Sequence, residues 1–217
     1  MAYHSARAAG GIGAIFLEAT AVHQSGLLTS HTLGGYLPAI VDGYRQLADV
    51  IHGHGACVFV QLFHGGREQI ATAPRPPALA PSAVPTQRFH VEPRAITARE
   101  IKEILAGFER SARLARDGGL DGIEISAAHG YLAAQFFTPE LNRREDEWAE
   151  PARFLLAVLA AVRASSPGLA LGVRLSGQTT QFGTWQYSRY NDETNGDQDK
   201  GAARVLVAAL DPGAPVP

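Results

Sequence analysis

Short apolar runs alternate with amphipathic stretches from the start of the chain to about Ser176. Ala14-Ile15-Phe16-Leu17-Glu18-Ala19, after Gly10-Gly11, is predicted to be a buried strand. Tyr36 to His54 carries Leu37, Ile40, Val41, Tyr44, Leu47, Ala48 and Ile51 at helical spacing, and Gly55 stops it. Ala56 to Leu62 reads as a second strand. Thr97-Ala98-Arg99-Glu100 has the spacing of a capping box, in which the threonine hydroxyl and the glutamate each satisfy an orphan N–H at a helix start. The helix it opens is expected to run to about Asp117, with Ile101, Ile104, Leu105, Phe108, Ala112 and Ala115 buried and Gly118-Gly119 at its end. Leu120 to Ile125 reads as a third strand, Phe154 to Ala164 as a helix and Leu169 to Leu175 as a fourth strand. Strands alternating with helices predict an α/β fold of βα units with a parallel sheet, and chemistry at the carboxyl ends of the strands.

Two stretches break this rhythm. A proline-rich segment from Pro74 to about Pro93 is too long for a mere connector and is expected to form a functional flap. From Gly177 the text turns polar and aperiodic, as in Asn191-Asp192-Glu193-Thr194-Asn195-Gly196-Asp197, and only Ala202 to Leu210 offers a short helix or strand. The chain therefore divides into residues 1–176 and a divergent, poorly ordered tail, residues 177–217.

Composition narrows the class. Hydrophobic residues make up 46% of the 217 and charged residues 18%, which excludes a disordered or collagenous chain. A formal net charge of −2 offers no sequence-wide attraction for nucleic acid or anionic lipid. No apolar run approaches the roughly 20 residues of a membrane helix, and the first seven residues lack a signal-peptide core. The single cysteine, Cys57, excludes an internal disulfide and is expected to be a small core residue in mid-strand. A cytoplasmic protein without a metal site is the expectation. His52 and His54 are placed at a helix C-terminus, which favours cations in any case, and Arg110, Arg113 and Arg116 as a solvated helix face.

Polar residues gather where that architecture places chemistry: Glu18 and Thr20 after the first strand, Gln61 and His64 after the second, Glu124 and Ser126 after the third, Arg174 and Ser176 after the fourth. A polar group in an apolar strand needs a partner or a ligand. Asp121-Gly122-Ile123-Glu124-Ile125-Ser126-Ala127-Ala128-His129-Gly130-Tyr131-Leu132 is the densest of these segments, and it leads into Gln135-Phe136-Phe137-Thr138-Pro139 and Asn142-Arg143-Arg144-Glu145-Asp146-Glu147-Trp148. Together with Val60-Gln61-Leu62-Phe63-His64-Gly65-Gly66-Arg67 and Ala80-Pro81-Ser82-Ala83, it resembles the Old Yellow Enzyme (NADH:flavin oxidoreductase) superfamily over about Tyr3 to Ser176.

The resemblance implies a partial (β/α)₈ TIM barrel, about strands 2 to 5 of the family barrel, with FMN as cofactor, NAD(P)H or an amine as reductant and a small organic molecule as substrate. By the same resemblance Gln61 would meet the pyrimidine edge of the flavin, since an amide both donates and accepts. Arg174 would stand beside flavin N1 and O2, where a fixed cation stabilises the anionic reduced ring. Its alternative is an ion pair with Glu124. Ala19 would let the backbone approach the ring. Tyr131 would donate a proton to the substrate carbon, and His129 would hold the substrate oxygen; a core tyrosine and a satisfied polar histidine are the plain alternatives.

Two departures stand out. Ser126 occupies the place of the usual first carbonyl-binding histidine, which weakens enone reduction and favours an amine-oxidising branch. After Trp148 the usual Gly-Gly-Ser-x-x-Asn-Arg segment is replaced by Ala149-Glu150-Pro151-Ala152-Arg153. The first strand and the last three, which include the phosphate loops of such barrels, have no counterpart in the text. The leading expectation is thus a truncated FMN-dependent oxidoreductase. The rival is an inactive fragment, or an interaction module that does not bind FMN alone and needs a partner or a second copy to complete a sheet open at both edges.

Overall fold

Four parallel strands at the centre of the computed structural model follow one another in chain order: β1 (Ala14–Ala21), β3 (Cys57–Phe63), β6 (Gly122–Ala127) and β7 (Ala170–Leu175). The structure describes residues 1–70, 77–86, 90–176 and the backbone of 206–210. Each parallel step needs a crossover, and helices supply it. Helix α2 (Ile40–His52) joins β1 to β3, α3 (Ala98–Asp117) joins β3 to β6, and α4 (Leu132–Phe137) with α5 (Arg153–Ser165) joins β6 to β7.

The helices bury one face of the sheet. Ile15 and Leu17 of β1, Val58, Val60 and Leu62 of β3, Ile123 and Ile125 of β6, and Leu171 and Val173 of β7 share one cluster with Ile51, Ile104, Phe108 and Val158 of the helices. Burial of apolar area at roughly 25 cal/mol per Å² is what holds this layer. Phe154 of α5 stacks on Phe136 of α4 with centroids 4.5 Å apart, which anchors the short α4. The other face is more open. Phe16 (39% exposed) stacks on half-buried Phe59 at 4.7 Å. A side chain at Gly122 would fall inside the Phe59 ring, so β6 is bare where that ring crosses it.

The predicted capping box is present. Thr97 Oγ1 accepts from the Glu100 N–H at 3.2 Å, and the Glu100 carboxylate accepts from the Thr97 N–H at 2.9 Å. Its ion pair with Arg94, reinforced by the Thr97 bonds, lowers the Glu100 pKa to about 2. Thr97→Ala is expected to lower stability by about 1 kcal/mol, read as a shift in urea midpoint with unchanged slope.

The structure corrects several expectations. Helix α1 (Ala2–Ala9) was not anticipated, nor was α4. Cys57 is exposed rather than in the core, because it opens β3 on the same sheet face as Phe59 and Gln61. The sheet is not wholly parallel or bare-edged. The two-residue β2 (Leu33–Gly34) pairs with β1, and β8 (Leu206–Leu210) runs antiparallel along β7, with Arg174 opposite Val207. Residues 177–205 and 211–217 of the expected tail lie outside the described residues, as do 71–76 and 87–89 of the expected flap. Around the latter, β4 (Leu79–Ala80) and β5 (Arg94–Ala95) form a short parallel ladder. Arg110 and Arg116 are exposed and Arg113 half-buried, on a helix face where Arg113 pairs with Glu109 and Arg116 pairs with Asp117 and donates to the Ser165 carbonyl at 3.2 Å. His52 pairs with Asp121 at 2.8 Å and His54 lies 3.3 Å from Ser5 Oγ. No described helix is long and apolar enough to cross a membrane.

Candidate active site at the strand ends

Register brings the predicted residues into rows. Ala19 lies opposite Gln61, Gln61 opposite Glu124, and Glu124 opposite Gly172. Two residues on, Ser126 lies opposite Arg174. Side chains two apart on a strand share a face, so Glu124 and Ser126 face the same way. The register of β1 shifts between Phe16 and Ala19, an irregularity of the kind that re-aims side chains beside a site.

Glu124 is the hub. It is fully buried, and its Oε1 accepts from Gln61 Nε2 at 2.5 Å and from Arg174 Nε at 2.8 Å. Arg174 thus makes an ion pair with Glu124, and among the described residues only its Nε–H is engaged. Glu124 Oε2 and Ser126 Oγ are buried without a hydrogen-bond partner among the described residues. Unsatisfied groups of this kind cost about 1–3 kcal/mol each unless something fills the need. In their row Ala19 and Gly172 flank the Gln61–Glu124 pair with almost no side-chain bulk.

The loop after β6 carries His129 and Tyr131. His129 sits at φ 58°, a left-handed conformation in which histidine is uncommon, and its N–H donates to Ser176 Oγ at 3.2 Å. Burial, and then the nearby Arg174 charge, lower its pKa, against a smaller opposing pull from Glu124. Its ring meets Tyr131 edge-on at 5.9 Å, and Tyr131 in turn packs 5.0 Å from Phe63.

The turn after β3 supports this loop. His64 O accepts from the Leu132 N–H at 2.9 Å. Gln135 takes the Arg67 N–H on its Oε1 at 3.3 Å and gives its Nε2–H to the Gly130 carbonyl at 2.7 Å. Gly66, at φ +62°, lies so close to this amide that no side chain fits there. Sequence reasoning did not single out Gln135; the one available signal was an amide in an apolar helix beginning just after the motif.

His64 is not part of the open site. It is buried, its Nδ1 accepts from the Gly66 N–H at 3.1 Å, and its Nε2 is 2.9 Å from Ser25 Oγ, which contacts His23 Nδ1 at 2.8 Å. Thr20 likewise turns inward and donates to the Glu18 carbonyl at 2.9 Å.

Comparison with known proteins identifies the family and the fold. The profile of the NADH:flavin oxidoreductase / NADH oxidase family matches residues 1–192. An NADPH dehydrogenase of Listeria monocytogenes serotype 4a (strain HCC23) is 40% identical over 166 residues, covering 75% of this chain and 48% of that protein. An NADPH dehydrogenase of Listeria welshimeri is 38% identical over 193 residues, covering 87% and 56%. A structure of morphinone reductase in complex with tetrahydroNAD superposes with a TM-score of 0.73 at 28% identity, covering 80% of this chain and 53% of that one. The chain spans about half the length of the relatives it matches, and its parallel strands with their helices correspond to part of that TIM barrel.

Proposed function

The chain belongs to the NADH:flavin oxidoreductase / NADH oxidase family, and from that premise we propose that its strand ends hold the isoalloxazine ring of FMN for hydride transfer between NAD(P)H, or an amine, and a small organic substrate. One observation carries this reading. Gln61 and Glu124, set in one row between the small residues Ala19 and Gly172, with Arg174 bonding to Glu124 from the next row, leave buried polar atoms without a partner among the described residues at the carboxyl end of a parallel sheet. That donor and acceptor set fits the alternating C=O and N–H edge of the ring. Bound FMN supplies a centre that accepts and returns hydride.

The residues divide the remaining work. Gln61 and the terminal nitrogens of Arg174 orient the ring edge, and Ala19 gives the backbone close approach. His129, kept neutral by burial and by Arg174, holds a substrate oxygen by hydrogen bonding and not by charge. Ser126, in the place of the first member of the carbonyl-binding pair, offers a hydroxyl donor, short and uncharged. The Tyr131 phenol delivers a proton to the substrate carbon. A cytoplasmic setting belongs to the same reading, supported by the single cysteine.

The test uses the full chain with excess FMN. A yellow complex that bleaches with NADPH or an amine under anaerobic conditions is expected. Arg174→Ala should weaken FMN binding by about tenfold or more, the worth of a charged hydrogen bond. A wild-type sample that stays colourless overturns the proposal. It would favour the second reading, an interaction module, to which the exposed Phe16–Phe59 stack on the open sheet face points.

A further inference from the structure

We propose that Glu124 is the positioning residue of this site: it fixes which way the Gln61 amide faces and sets how much of the Arg174 charge reaches a bound ring. The inference rests on the flavin reading above and deepens it. A buried carboxylate is costly unless paired, and here one oxygen gathers donors from both neighbouring strands, at 2.5 Å from β3 and 2.8 Å from β7. The amide cannot reverse, because its carbonyl would then face the carboxylate oxygen. Gln61 therefore keeps its carbonyl for the ligand and must meet a ring edge that offers an N–H. Arg174 commits Nε sideways and keeps its terminal nitrogens for the ligand, in the manner of a fork held at one tine.

Charge follows from the same geometry. Glu124 and Arg174 together sum to zero, so the site is a neutral dipole in place of a bare cation. A full charge a few ångströms away in a poorly screened site acts strongly on a neighbouring ring, so the carboxylate tempers any preference for an anionic ring. Glutamine at position 124 keeps an oxygen to accept both bonds but removes the charge, whereas alanine removes both. The two effects are thereby separable.

The test has two parts on the full chain. In the ligand-free protein, the side-chain resonances of Gln61 Nε2–H and Arg174 Nε–H should be protected from exchange. They should persist in Glu124→Gln and vanish in Glu124→Ala, while the backbone amides of β3, β6 and β7 stay protected. With FMN, Glu124→Gln should favour reduced over oxidised flavin by about tenfold more than wild type, a positive shift of roughly 30 mV for a two-electron couple. Unprotected side-chain resonances in wild type, or an unchanged potential in Glu124→Gln, overturn the assignment. If wild type takes up no FMN, the cofactor reading falls, and the ligand-free measurement alone decides for or against the positioning role.

Discussion

Replacing Gly66 by alanine is expected to lower stability by about 3–4 kcal/mol and to loosen the loop that carries His129 and Tyr131. Two costs combine. A left-handed φ of +62° is unfavourable for any side chain by about 1–2 kcal/mol. The new methyl would also land on the Gln135 amide, which holds the Arg67 N–H and the Gly130 carbonyl. Displacing that amide strands buried backbone groups, at about 1–3 kcal/mol each. Against a total stability of roughly 5–15 kcal/mol, this is a large fraction. Urea denaturation measures it, and the double variant Gly66→Ala/Gln135→Ala should recover part of the loss by making room. A Gly66→Ala protein with an unchanged midpoint would show that the turn does not depend on this contact.

Acid should destabilise the folded chain through His64. Burial, and then the neighbouring His23, lower the His64 pKa from 6.5 to about 3. A second proton on the ring would have to sit on Nδ1, where the Gly66 N–H already points. Between pH 6.5 and 3 the unfolded chain therefore binds the proton and the folded chain does not. Stability from this group is complete above pH 6.5 and is lost as pH falls through that window. The loss is about 1.4 kcal/mol per pH unit, so on the order of 2–3 kcal/mol is gone by pH 4.5. Above pH 4.5, Glu100 and Asp146, whose pKa values are held down by Arg94 and Arg144, contribute no comparable loss. Urea midpoints measured from pH 7 to 4.5 should fall steeply in wild type and less steeply in His64→Gln, which keeps polar atoms but does not titrate. Equal slopes would refute the assignment.

Much of the frame was legible because it is local. Thr97 to Glu100 announces its helix through contacts three residues apart, and the four apolar runs announce β1, β3, β6 and β7. Burial of a single residue is less legible. Cys57 was misread because parallel strands covered on both faces read as continuous apolar runs, whereas here one face is open. Helix α1 carries Ala-Tyr-His-Ser-Ala-Arg-Ala-Ala, with too few large apolar residues to mark a buried stripe, and it buries only Ala8. The direction of β8 depends on which edge it meets and leaves no mark in its own residues.

The site divides along the same line. Strand ends brought Gln61, Glu124, Ser126 and Arg174 near one another before any register was known, and the family resemblance added Ala19, His129 and Tyr131. What lay beyond reach was how they bond, since Gln61 and Glu124 meet across 63 positions and His64 and Ser25 across 39. Those pairings follow from strand register and from a turn geometry that only Gly66 permits.

The exposed thiol of Cys57 gives this chain a built-in attachment point. It is the one cysteine among 217 residues and opens β3 at the end away from Gln61, about 13 Å along a strand at 3.3 Å per residue. A maleimide dye fixed there sits at the far rim of the sheet, within energy-transfer range of any yellow chromophore at the opposite rim. Quenching of that dye would report occupancy without touching a single side chain that does the chemistry.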